Sequence, residues 1–194
     1  DVCRPVSMSI RITGGALRGR NVPSPEGNKT RPTASRTREA LFNILQGVEN
    51  FRMLDLFAGS GIMGIEAISR GAASVVAVEL VHSQARLVYQ AYKALGLSEK
   101  VTLLEKNVLA LEKELLCATE GFDLIYADPP FKDREYPDLR KYWEWLNPGG
   151  VAVFEAPSKN LPAWVKEADE AGTVQVRRYG ESSLVEASLS PCAK

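Results

Sequence analysis

The sequence predicts an α/β domain built on a mostly parallel sheet with helices on both faces. Three observations predict it. From residue 52 onward, short runs rich in Val, Ile, Leu and Phe alternate with amphipathic helical stretches, the rhythm of repeated βαβ units. A glycine-rich turn, DLFAGSGIMG at 55–64, follows the first of these runs, where open α/β sheets place their ligands. The last two apolar runs are joined only by GESS, too short for a parallel crossover, so that pair is expected to be antiparallel.

The elements follow in order. The first seven residues, DVCRPVS, stand apart from the patterned sequence that Met8 opens, and read as an upstream or added segment. SIRITGGALRGRNV alternates apolar and polar residues around Gly14-Gly15, the signature of a β-hairpin with a tight glycine turn. The polar stretch PSPEGNKTRP is a loop, so residues 8–32 form a basic hairpin and loop ahead of a main domain over 33–194. TASRTREALFNILQG reads as a helix, capped by Thr33 or Ser35, striped by Leu41, Ile44 and Leu45, and ended at Gly47. Strand RMLDLF leads through the glycine loop to helix IMGIEAISR, and strand SVVAVEL to helix SQARLVYQAYKAL. Strand KVTLLEK precedes an expected helix over 109–118, and strand FDLIYA runs into DPPF, with a further helix over 136–146. NPGG turns the chain into strand VAVFEA; a short helix near 161–170 then precedes TVQVRRY and SLVEASL.

With 194 residues, 45% of them hydrophobic and 25% charged, the composition is that of a soluble globular domain. No apolar run approaches the roughly 20 residues that a membrane span needs, and no charged-then-apolar leader is visible, which points to the cytoplasm. Cys3, Cys117 and Cys192 are odd in number and far apart, so neither a disulfide framework nor a metal site is expected. The net charge of zero hides an asymmetry. Residues 1–38 carry eight Lys or Arg and two acids, a balance of +6 that the remaining 156 residues offset. A basic arm on an acidic body suits an anionic partner; a merely solvated arm accounts for the charge equally well on composition alone.

Gly59, Gly61 and Gly64 match G-x-G-x-x-G, and Glu79 ends the following strand. Gly59 and Gly61 let the backbone approach a ligand, whereas Gly64 is read as close helix–sheet packing. A carboxylate at Glu79 suits the ribose hydroxyls of NAD and of S-adenosylmethionine alike, so these residues leave the cofactor open. DPPF decides it. Consecutive prolines donate no N–H groups, so Asp128, Pro129 and Pro130 offer acceptors: the Asp128 carboxylate and the Pro129 carbonyl. Two acceptors that grip the hydrogens of an exocyclic amine draw its lone pair out of conjugation and aim it at a methyl sulfonium. Phe131 offers a face for an extruded base, stacking worth about 1–3 kcal/mol. Hydride transfer has no use for such a set.

DLFAGSG followed by DPPF resembles a Rossmann-like class I S-adenosylmethionine-dependent methyltransferase acting on an exocyclic amine. With IRITGGALRGRNV, TRPTASRTREALFNIL and YGESSLVEAS, the chain from Met8 onward resembles the RsmD family, which methylates guanine N2 in bacterial small-subunit (16S) ribosomal RNA. The resemblance implies a seven-stranded sheet with a reversed last strand. It places Asp55, Ala58, Gly59, Ser60 and Gly61 around the methionine part of the cofactor, Glu79 on its ribose and Asn107, where relatives often carry Asp, by its adenine. Arg31 and Thr33 would lie near the cofactor carboxylate or the entering RNA, and Asp128 to Phe131 would hold the guanine. In that setting Arg18, Arg20, Lys29, Arg31, Arg36 and Arg38 are expected to meet phosphates of ribosomal RNA, in a small subunit or its assembly intermediate. His82, the only histidine, is read as a surface residue. The competing readings are an adenine-N6 or cytosine-N4 methyltransferase on DNA or other RNA, an NAD-dependent oxidoreductase and a non-catalytic RNA-binding assembly factor.

Overall fold

The computed structural model describes residues 9–23, 32–112, 121–130 and 137–188, residues 32–34 by their backbone alone. Residues 1–7, Lys29, Arg31, the side chain of Thr33, Phe131 and most of the expected helix over 109–118 lie outside the described residues.

Nine strands are present among the described residues. β1 (Ser9–Arg11) and β2 (Asn21–Pro23) pair antiparallel in a hairpin. β3 (Arg52–Asp55), β4 (Ser74–Val78), β5 (Val101–Leu104), β6 (Phe122–Ala127), β7 (Leu146–Pro157), β8 (Gln175–Tyr179) and β9 (Ser182–Ser188) form one seven-stranded sheet. Its order is β5-β4-β3-β6-β7-β9-β8, with β3 to β7 parallel and β9 antiparallel to both neighbours. The reversed last strand is the one expected from GESS. The helices are α1 (Pro32–Ile44), α2 (Ile62–Ser69), α3 (His82–Ala94) and α4 (Ala163–Glu170). No helix among the described residues is long and apolar enough to cross a membrane.

The central strands β3, β4 and β6 are buried on both faces, which is why they read as unbroken apolar runs. Met53, Val75, Leu124, Val153 and Leu184 enter one core with α1, α2 and α3. Their neighbours Leu54, Val76, Ile125, Phe154 and Val185 enter the other, with Tyr142, Trp145 and Trp164. The period of two along each strand thus feeds two cores at once.

Four expectations need correction. The hairpin does not turn tightly at Gly14-Gly15. Its last ladder pair is Arg11 and Asn21, Ile12 still exchanges backbone hydrogen bonds with Gly19 and Arg20, and residues 13–18 form a loop that lies on the end of α2. Ala16 N–H donates to the Ser69 carbonyl at 2.7 Å, and the Ser69 hydroxyl donates to the Gly14 carbonyl at 2.6 Å. Docking on the helix sets the loop together with its own turn hydrogen bonds, Arg18 N–H to the Gly15 carbonyl and Arg20 N–H to the Leu17 carbonyl. Second, where a helix was expected from residue 109, a 3₁₀ turn covers Val108–Ala110. Third, a 3₁₀ segment covers Arg140–Trp145 instead of an α-helix over 136–146. Fourth, NPGG is not a turn before β7 but a bulge within it. Between the pairs Phe122–Leu146 and Leu124–Val151, β6 advances two residues and β7 five.

Gly15 is where this docking has least tolerance. It has φ +74°, and a Cβ there would lie 1.8 Å from the Ser69 carbonyl oxygen. Gly15→Ala is expected to cost at least about 2 kcal/mol, from the left-handed conformation plus displacement of the loop. Denaturant unfolding checks this; a loss under about 0.5 kcal/mol would mean that the loop is not docked as described.

Candidate active site

The sheet order reverses direction between β3 and β6, the switch point where open α/β sheets bind ligands beyond the strand carboxyl ends. Three segments converge there. Leu56 N–H donates to the Tyr126 carbonyl of β6, Ala58 N–H to the Val78 carbonyl of β4, and Glu79 N–H to the Leu104 carbonyl of β5. The glycine loop, the Glu79 turn and the DPP segment therefore leave the sheet side by side.

Gly59 and Gly61 both take left-handed φ, +55° and +75°, and Gly61 is the N-cap of α2. Space in front of Gly59 is open, since an added Cβ would meet only the Phe57 carbonyl at 3.9 Å. At Gly61 it would press on Val88 and Tyr92 of α3 at 3.0 and 3.2 Å, so this glycine has a packing duty beside its place in the loop. Gly64 is a pure packing glycine, as read: a Cβ would fall 2.1 Å from the Tyr92 hydroxyl. Ala58 and Ser60 are buried within the loop. Glu79 is nearly buried; its Oε2 accepts Gly59 N–H at 3.0 Å and its Oε1 accepts Val81 N–H at 2.9 Å. It shapes the loop while two further acceptor positions remain for hydroxyls.

Asp55 is the unusual group. It is 1% exposed and neither carboxylate oxygen has a hydrogen-bond partner in good geometry. Burial pushes its pKa up to about 7; the Glu79 charge adds to the rise, while the nearby amides of Phe57 and Gly64 oppose it without closing a hydrogen bond. A buried carboxyl group without a hydrogen-bond partner, at the base of a glycine loop, suits a cation. S-adenosylmethionine carries two, an ammonium and a sulfonium, and the residues present fit it. Leu80, Val81 and Leu109, unnoticed as site residues in the sequence, follow Glu79 and Asn107 and are 64%, 45% and 55% exposed. Exposed aliphatic side chains at both places suit the two faces of an adenine. Asn107 Oδ1 accepts Leu109 N–H at 2.9 Å, so the oxygen expected to meet adenine also caps a 3₁₀ turn.

A consequence of Asp55 is testable by pH. Its folded pKa lies above its unfolded value of 3.8, so the folded state binds the extra proton and stability falls as pH rises from about 4 to about 7, then levels off. Asp55→Asn is expected to remove that slope, to raise the apo stability at pH 8, by at most about 4 kcal/mol at 1.36 per pKa unit, and to weaken S-adenosylmethionine at least tenfold. Unfolding curves at pH 5 and pH 8 with calorimetric titration check it; an unchanged slope or unchanged affinity would remove Asp55 from the cation's site.

Across the switch point stands Asp128, open to solvent yet closely surrounded by protein, with Pro129 buried behind it. Its carboxyl is raised well above the usual range, first by loss of solvation and then by the charges of Glu155 and Asp55. Tyr126, two residues earlier on β6, donates its hydroxyl to Glu155 Oε1 at 2.6 Å.

Of the expected phosphate-binding cations, Arg18, Arg20 and Arg36 are exposed. Arg38 is not available: it is 3% exposed, its Nε lies 3.3 Å from Glu66 Oε2, and its Nη2 donates to the Arg11 carbonyl at 2.9 Å. Glu66, fully buried on α2, also accepts from Thr13 N–H and hydroxyl at 2.9 and 2.7 Å and from Arg70 at 2.9 Å. Arg38 is a structural cation and leaves the list of phosphate ligands. His82 is exposed, with Nδ1 2.6 Å from Glu105, as a surface residue should be. No cluster of three metal-ligating side chains occurs among the described residues.

This architecture is shared with solved methyltransferases. The protein described as putative methyltransferase yhhF from Escherichia coli superposes with TM-score 0.72 at 26% identity, covering 95% of this chain and 99% of that one. The Thermus thermophilus 16S rRNA N2 G1207 methyltransferase (RsmC), solved with AdoMet and guanosine, superposes with TM-score 0.73 at 25% identity over 94% of this chain and 50% of that one. Sheet order and glycine loop, together with these structural relatives, define a class I S-adenosylmethionine-dependent methyltransferase. The profile of the family described as Conserved hypothetical protein 95 matches residues 10–187, and the chain is 35% identical over 185 residues to ribosomal RNA small subunit methyltransferase D of Escherichia coli K12, covering 89% of this chain and 90% of that protein. The chain belongs to the RsmD family.

Proposed function

We propose that the protein methylates the exocyclic N2 amino group of a guanine in small-subunit (16S) ribosomal RNA, with the base extruded into the cleft between the glycine loop and the DPPF segment. The observation that carries the reading is the placement of Asp55 and Asp128 at the ends of neighbouring strands β3 and β6, one suited to a cationic methyl donor and the other to an amine. The relative named methyltransferase D supports ribosomal RNA, and the guanosine-bound Thermus enzyme supports guanine N2.

When bound, S-adenosylmethionine supplies a methyl carbon already activated by its sulfonium. Asp55 holds a positive charge under the loop, and Glu79 takes the ribose. Asp128 and the Pro129 carbonyl accept the two N–H groups of the amine, and Phe131 stacks on the base. Asp128, or water, would take the N–H proton that the amine gives up on methylation. Alignment of nucleophile, carbon and sulfur is the main contribution of the protein. The exposed Arg18 and Arg20 of the hairpin loop and Arg36 of α1, together with Lys29 and Arg31, contact phosphates and position the RNA without reading it.

The test is labelled methyl transfer to unmethylated small ribosomal subunits, to the same RNA stripped of protein and to duplex DNA, followed by digestion to nucleosides. Label in N2-methylguanosine is the expected result. Label in N6-methyladenine or N4-methylcytosine would overturn the base, label in DNA the substrate, and cofactor binding without transfer to any of the three would favour an assembly factor.

A further inference from the structure

Resting on the guanine reading above, one feature of the cleft bears on how the base is chosen. β6 and β7 run parallel with Ala127 beside Phe154, so the next residues along, Asp128 just beyond β6 and Glu155 within β7, stand next to each other. Glu155 is partly exposed, and Tyr126 fixes it by donating to Oε1. Burial and the neighbouring charges keep the Tyr126 phenol protonated, so it acts as a donor at every working pH. A carboxylate has about four acceptor positions, and one phenol uses one of them. The cleft therefore presents two adjacent carboxylates; among the described residues the cation whose charge reaches Glu155 is Arg38, itself held by Glu66.

Bases with an exocyclic amine differ in the atom beside it. In adenine and cytosine the ring nitrogen next to the amino group carries a lone pair. In guanine the ring nitrogen on the Watson–Crick side, N1, carries a hydrogen (N3, on the other side, has a lone pair), so N1–H and N2–H form a continuous donor edge. A second carboxylate beside Asp128 suits the guanine edge and repels the other two. We propose that Glu155 is the specificity residue of the cleft: it accepts the guanine N1–H while Asp128 accepts an N2–H, and so excludes bases whose adjacent ring nitrogen is an acceptor. Burial raises both carboxyls above the usual range; the Glu155 charge adds to the rise at Asp128, while the Tyr126 hydrogen bond and the Arg38 charge oppose it at Glu155.

The discriminating substrate is ribosomal RNA carrying 2-aminopurine in place of the target guanine. It keeps the 2-amino group but has a lone pair at N1. Wild-type enzyme is expected to prefer guanine by at least 100-fold in kcat/KM. Glu155→Gln keeps the acceptor for Tyr126 and offers an N–H to the base. It is expected to lose 10- to 100-fold on guanine, to gain on 2-aminopurine, and so to narrow or reverse the preference, with S-adenosylmethionine affinity unchanged. A purely structural Glu155 would lower both substrates together, and that equal loss would overturn the proposal. Should Glu155→Gln fail to bind the cofactor, Tyr126→Phe frees Glu155 without changing its charge. The guanine preference must then fall, and an unchanged preference overturns the proposal equally. Failure of wild-type enzyme to form N2-methylguanosine would instead refute the underlying function.

Discussion

Asp128→Ala is expected to lower methyl transfer by roughly 10²–10⁴-fold while leaving S-adenosylmethionine affinity within about twofold. The carboxylate stands at the end of β6, open to the cleft, and Pro129 and Pro130 behind it have no N–H groups with which to substitute. Its loss leaves the amine with the Pro129 carbonyl alone, so the lone pair is no longer turned toward the methyl carbon. Asp128→Asn retains one acceptor oxygen and is expected to fall between the two. The pH profile separates charge from geometry. The acceptor is the ionised form, and the Asp128 carboxyl is held well above the usual range by burial and by Glu155. Wild-type single-turnover rates should therefore rise with pH through that raised value, and the Asn variant should lose this limb. A loss confined to cofactor affinity, or an unchanged profile in Asp128→Asn, would place the proton acceptor elsewhere.

Glu66→Ala is expected to destabilise the fold by about 3–5 kcal/mol, the cost of leaving a buried charge without its partner. Arg38 is 3% exposed and Glu66 fully buried, so removal of the carboxylate strands the guanidinium, and Thr13 loses the acceptor of both its N–H and its hydroxyl. At about 2–4 °C per kcal/mol for a chain of this size, the midpoint should drop by at least about 6 °C. The pH sign is opposite to that of Asp55. Burial raises the Glu66 pKa, but Thr13, Arg70 and Arg38 outweigh it and hold the carboxyl below its ordinary value. Its stabilisation is complete above the unfolded value of 4.5 and is lost as pH falls through the lower folded one. Thermal unfolding of both proteins at pH 7 and pH 4 checks this; a change under about 1 kcal/mol at pH 7 would mean that the network contributes nothing net.

These two residues also show what the sequence does and does not disclose. Asp128 was legible because its neighbours are chemically odd: consecutive prolines after a buried strand announce a segment with acceptors only. The glycine loop, Glu79 and the reversed last strand were legible for the same reason, each resting on local spacing. Glu66 was not. Within IMGIEAIS a single glutamate reads as the wet side of an amphipathic helix, yet every residue of α2 is buried. Its partners come from the hairpin and from α1, 53 and 28 positions away, and no local pattern signals such a meeting. Arg38 was misread by the same token, since an arginine in a basic arm looks solvated until its carboxylate is found. Glu155 sits in VAVFEA as an ordinary strand residue, and only the register of β6 against β7 puts it beside Asp128.

The Glu66 network has a practical side for anyone separating nucleic-acid affinity from folding. Thr13 and Arg11 belong to the hairpin loop and β1, so the basic N-terminal region is a structural member of the domain and not a module that can be cut away. A deletion ending at residue 23 would take with it two hydrogen bonds to a buried carboxylate, as well as Ile12 and Val22 from the core. Loss of methylation in such a truncated protein would say nothing about RNA. Charge must instead be removed one exposed side chain at a time, at Arg18, Arg20 and Arg36, where each replacement alters the surface and leaves the frame standing.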